Sequence, residues 1–86
     1  MTIYQVVSVR DDAVQAFNRP FYTVSVGQAH RSFSDEVNRK ADDNPMFKHA
    51  SDFSLWHLGS FDDETGRFVQ FDLAIRLCNA GDVLVD

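Results

Sequence analysis

From Thr2 to Val9, Ile3, Val7 and Val9 share one phase of the chain with Gln5, while Tyr4 and Val6 share the other with Ser8. Alternate residues of an extended chain point to opposite faces. The run therefore predicts a strand that is apolar on both sides and sits inside a sheet or at an interface. The charged trio Arg10-Asp11-Asp12 ends it. A second extended stretch is predicted over Phe21 to Val24, because Pro20 fixes its own φ and drives Arg19 out of helical geometry.

The period then changes. Ser25-Val26-Gly27-Gln28 has the spacing of a capping box, and Val26, Ala29, Phe33, Val37 and Ala41 recur at three- and four-residue steps. A helix over Val26 to Ala41 is predicted. Asp35 with Arg39 and Glu36 with Lys40 form acid-before-base pairs on its outer side. Asp42-Asp43-Asn44-Pro45 stops it, and a loop carrying Met46, Phe47 and His49 follows.

Ser54 to Phe61 alternates again, with Leu55, His57 and Phe61 against Trp56 and Leu58. The polar turn Asp62-Asp63-Glu64-Thr65-Gly66 and the β-favouring run Arg67 to Phe71 complete a hairpin. Beyond Asp72 two patterns compete. Leu73, Ala74, Leu77 and Cys78 fit one helical face, whereas Asn79-Ala80-Gly81 halts a helix and Val83-Leu84-Val85 fits a strand. The order β-β-α-β-β predicts an α+β fold: two layers, a four-stranded antiparallel sheet with one helix on one face. A single domain over residues 1–71 is expected, followed by a tail over 72–86 of undetermined structure. Aromatics turned away from the helix would leave an apolar patch, and a homodimer interface is the expected use for it.

Composition narrows the class. A chain of 86 residues, 44% hydrophobic and 24% charged, has room for one domain and too much apolar mass for general disorder. Thirteen acids against eight Lys and Arg give a net charge of -5, opposite to that of a protein held on nucleic acid mainly by phosphate contacts. The N-terminus has neither a basic start nor a long apolar run, and the lone Cys78 cannot form an intrachain disulfide, so a reducing cytosol is the expected compartment.

Few arrangements of reactive residues stand out. Gly27, Gly59, Gly66 and Gly81 are isolated, which argues against a phosphate-binding loop. His30, His49 and His57 lack the close spacing that preorganises zinc ligands, so structural histidines and no metal or cofactor are expected. Asp62-Asp63-Glu64 lacks the alternating ligands of a calcium loop. Ser34, His57 and Asp52 contain the letters of a hydrolase triad with nothing to place an oxyanion hole, and Cys78 has no basic cluster to activate it. No catalytic residue is assigned.

Nucleic-acid contact has more support. Arg10, Arg19, Lys48 and Arg67 fall at strand ends or in loops where they could meet phosphates, and Tyr22 and Trp56, with Tyr4, are strand aromatics able to stack on bases. The alternatives are that these aromatics line a dimer interface and that Arg19 and Pro20 only shape the start of strand two.

Phe17-Asn18-Arg19-Pro20-Phe21, the capped helix with Ala29, Phe33 and Val37-Asn38, His49-Ala50-Ser51-Asp52-Phe53-Ser54-Leu55, and Leu58-Gly59-Ser60-Phe61-Asp62 before Thr65-Gly66 occur in a familiar order. Over about residues 3 to 71 the chain resembles the small non-structural protein of the gokushovirus-type microviruses, phages with circular single-stranded DNA. The resemblance implies a non-enzymatic protein of the host bacterial cytoplasm, absent from the mature virion. It further implies action on the phage replication initiator complex and the procapsid, in the switch from duplex replication to single-stranded DNA synthesis and packaging. Direct contact with single-stranded DNA would be local on so acidic a chain. Two readings of other classes stand beside it: a small-molecule-binding regulatory dimer, and a host-directed inhibitor whose Asp42-Asp43 and Asp62-Asp63-Glu64 acids mimic nucleic acid.

Overall fold

A computed structural model describes residues 2–85 as a curled antiparallel sheet with short helices. β1 spans Ile3–Asp11, β2 Ala16–Phe17, β3 Phe21–Thr23, β4 Phe53–Asp62 and β5 Arg67–Asn79; α1 is Val26–Val37, α2 Pro45–Lys48 and α3 Ala80–Val83. The strand order is β2-β1-β4-β5, and β3 pairs with the same edge of β1 further along it. β2 and β3 are thus two halves of one edge, broken at Asn18-Arg19-Pro20. The Asn18 N–H donates to Val9 O at 2.8 Å, and the buried Ser8 hydroxyl donates to Asn18 O at 2.6 Å, so the break keeps its polar groups satisfied.

α1 packs its stripe on the sheet as its period requires. Ala29, Phe33 and Val37 bury against Val7, Val9, Leu55 and Phe53 in one core cluster. Val7, Val37 and Leu55 are completely buried, each contributing about 1.5–3 kcal/mol. Ser25 caps the helix through Gln28 N at 3.1 Å, and the Gln28 side chain accepts from Val24 N–H at 3.2 Å, one residue before the reciprocal partner that the capping box predicts.

The helix stops at Val37, not at Ala41. Asn38 takes the C-cap with ψ 1°, and its side-chain amide donates to Ser34 O and Val83 O while its oxygen accepts from Val85 N–H at 2.7 Å. Asn44, buried, donates to Glu36 O and Arg39 O. Two asparagines thus satisfy carbonyls that a further turn would have used. Arg39 consequently pairs with Glu36 at 2.7 Å and Asp43 at 3.3 Å, not with Asp35. The expected loop at Met46 and Phe47 is the helical turn α2, started by Asn44 and Pro45. A further 3-10 turn, Ala50–Asp52, leads into β4.

The segment after Asp72 is mostly strand. β5 continues to Asn79, with Ile75–Asn79 pairing the first half of β4, while Phe71 to Ala74 loop outward opposite Leu58 alone. Leu77 and Cys78 pack against the core, as do Val83 and Leu84, and Ala80 of α3 is fully buried. Burying these side chains is what selects strand over the helical pattern that Leu73, Ala74, Leu77 and Cys78 also fit.

A concave aromatic face as the candidate site

Residues opposite one another in antiparallel strands project from the same face. On the side of the sheet away from α1, the register sets out four cross-strand rows. Phe17, Arg10, Ser54 and Asn79 form the first, and Ser8, Trp56 and Arg76 the second. Tyr22, Val6, Gly59 and Gln70 form the third, and Tyr4, Phe61 and Phe68 the fourth.

The first two rows combine cations with aromatics. Arg76 Cζ lies over the Trp56 ring, 4.8 Å from its centroid, and Phe17 meets the same indole edge-on at 5.8 Å. Arg10 lies 5.8 Å from the Phe17 centroid and pairs with Asp12. The indole is locked in place: Trp56 Nε1–H donates to Ser54 Oγ at 2.8 Å, and the Ser54 hydroxyl donates in turn to the Asp12 carboxylate at 3.3 Å. Arg76 is steadied by Asn79 Oδ1 at 2.7 Å.

The last two rows enclose a concavity. Tyr22 and Phe68 stand on strands at the two edges of the sheet, and a flat sheet would hold those backbones about 14 Å apart. Their ring centroids are 6.5 Å apart, with Phe61 within 5.9 Å of Tyr22 and 4.8 Å of Phe68. The sheet's curl therefore brings its edges together over the third row. A cavity of about 260 Å³ lies there, with Val6 and Gly59 beneath, Tyr22 and Phe68 as walls, and Ser60 and Gln70 as polar lining. Beside it Tyr4, Tyr22, Phe61 and Phe68 line a second hollow with almost no polar surface.

Two of the six residues expected to touch nucleic acid, Arg10 and Trp56, come together with Phe17 and Arg76. Tyr22 shares their face but belongs to the distal cluster. Arg19 is exposed at the break between β2 and β3, next to Pro20, which lines the cavity. Arg67 begins β5 opposite Asp62, at the far end of the hairpin from Arg10. Lys48 is exposed on α2, which packs against α1 and the core. The structure adds Phe17, Phe61, Phe68 and Arg76 to the set. Of these, Arg76 was hidden by the open reading of the chain after Asp72, and Phe17 by its place in a connection.

The remaining reactive groups lie apart. His30 on α1 and His49 in the turn after α2 are exposed, and His57 sits 2.8 Å from Gln5 Oε1 and edge-on to Phe71 at 4.7 Å. Among the described residues no group of three or more His, Cys, Asp or Glu could hold a metal, and no hydrogen bond joins Ser34, His57 and Asp52. Burial, then Asp82, pushes the Cys78 thiol above its ordinary pKa. Among the described residues no helix is long and apolar enough to cross a membrane.

A family model described as Phage ORF5 protein matches residues 4–83, a span that includes β5 and α3 as well as the region of resemblance. No curated protein and no solved structure matches the chain.

Proposed function

The chain belongs to the Phage ORF5 protein family, and from that membership we propose that it is the small, non-enzymatic, non-structural protein of a gokushovirus-type microvirus. It acts by binding in the switch from duplex replication to single-stranded DNA synthesis and packaging. Its partners are the replication initiator complex, the procapsid and the emerging single strand, met in the host bacterial cytoplasm. The observation that supports the DNA contact is the cluster Arg10, Phe17, Trp56 and Arg76 from the first two rows, where two guanidinium groups border two aromatic rings on an open, concave surface. Unpaired bases present faces for stacking, whereas a duplex hides them.

The charge distribution supports a local contact. Asp35, Glu36, Asp42 and Asp43 belong to α1 and the segment after it, on the opposite side of the sheet. Arg10, Arg19 and Arg76 border the concave face, and three phosphate contacts imply a salt slope of about −2 for a single strand. The test is a titration with fluorescent single-stranded and duplex DNA, following anisotropy and Trp56 emission. Saturable single-strand preference with Trp56 quenching is expected; absence of binding even at low salt overturns the DNA contact. Capture of the cognate initiator by the folded chain tests the protein partner separately, and no retention overturns that assignment.

A further inference from the structure

We infer that the cavity beneath the Tyr22 and Phe68 rings holds one unpaired nucleobase, with the two rings as its walls and the Gln70 carboxamide as its polar reader. This rests on the single-strand reading above and adds where a base is taken out of the stack.

Four observations point to this occupant. The floor is bare main chain at Gly59, where the neighbouring strand lies so close that a Cβ would meet the Val69 carbonyl and lie only 3.1 Å from the Gln70 Cα. Val6 completes that floor. The volume, about 260 Å³, falls below the range of about 300–1,000 Å³ typical for drug-sized ligands, which suits one planar ring system. Its lining is apolar apart from Ser60, Gln70 and the Tyr22 hydroxyl. A carboxamide offers a donor and an acceptor side by side, the arrangement that matches a base edge.

Charge supplies the fourth observation and the direction of approach. Arg76, Arg19 and the Asp12-paired Arg10 lie toward the Trp56 end, and the turn Asp62-Asp63-Glu64, where Arg67 offsets one of three acids, lies at the other. A polyanion is drawn to the first end and repelled by the second. The strand therefore runs from the Trp56 row and places one base in the cavity before turning away. An apolar peptide side chain would make no use of the Gln70 carboxamide, and a peptide drawn by charge to the acidic turn would sit at the wrong end.

The experiment uses the full chain and a short single-stranded oligonucleotide carrying the fluorescent base 2-aminopurine at successive positions. At one position its emission should be quenched on binding, and an abasic site there should weaken binding about fivefold to a hundredfold, as loss of one base stack does. Y22A and F68A should reproduce that loss. Q70A, at an exposed position that leaves the fold intact, should alter discrimination among homopolymers and have no effect on the abasic oligonucleotide. A complex that quenches Trp56 but shows no position-specific change, and that Q70A and the abasic site leave untouched, overturns the base pocket while the single-strand reading stands. No complex at all overturns both. A dimer dissociated by F68E, with no oligonucleotide bound, assigns the cavity to a second copy and overturns the inference.

Discussion

A Cβ on Gly59 would collide with the backbone carbonyl of Val69 on the neighbouring strand, so the close approach of β4 and β5 under the concave face admits only glycine. The obstacle is main chain, so no rotamer change relieves it. Gly59→Ala should destabilise the protein by about 3 kcal/mol, the upper end of overpacking costs, and lower Tm by roughly 10–20 °C. Gly66→Ala, with φ at +74° and open space around it, should cost only about 1 kcal/mol. Thermal denaturation followed by circular dichroism compares the two; equal effects would refute the assigned role of Gly59.

Ser54 joins the Trp56 indole to the Asp12 carboxylate, and all three lie at the cationic end of the face. Ser54→Ala leaves a half-buried indole N–H and a half-buried carboxylate each short of a partner. A loss of about 1–3 kcal/mol in denaturant unfolding is expected. The Trp56 emission of the folded variant should shift, since the ring is no longer held; an unchanged spectrum would show that packing alone fixes it.

Arg76 and Lys48 are both exposed cations, and only Arg76 borders the concave face. Arg76→Ala should weaken single-strand binding and reduce the salt slope by about 0.7, the contribution of one phosphate contact. Lys48→Ala, on the helix side, should change neither. Equal losses from the two would point to diffuse attraction without a defined site.

The Cys78 thiol is raised above its ordinary pKa first by burial and then by Asp82. A raised folded-state value favours the protonated thiol, so its contribution to stability is complete below the unfolded pKa of about 8.5 and is lost as pH rises through the higher folded value. Alkylation at neutral pH should therefore be slower in the folded chain than in denaturant. Asp82→Asn should lower the thiol pKa and speed the reaction at a given pH; a slower reaction would contradict the stated cause.

Much of the local structure is legible in the residues. The Ser25 cap, the stripe Ala29, Phe33 and Val37, and the hairpin closed by Gly66 follow from periodicity and turn chemistry, which act over a few neighbours and need no knowledge of the rest of the chain. Long-range contacts decided the remainder. The helix ends at Asn38 because that side chain meets Val83 and Val85 from the far end of the sequence. β5 reaches Asn79 because its second half finds a partner strand and a core to enter.

The candidate site divides the same way. Arg10, Tyr22 and Trp56 were recognisable as residue types suited to nucleic acid at strand positions, and membership of a phage protein family follows from the sequence alone. That Trp56 lies beneath Arg76, that Phe17 flanks it, and that Tyr22 meets Phe68 across the whole width of the sheet depend on register, bulges and curl. Those properties come from pairing energies summed over many residues distant in sequence, so no local pattern carries them. The chain specifies its elements one segment at a time, and its binding face exists only once the edges of the sheet have closed toward each other.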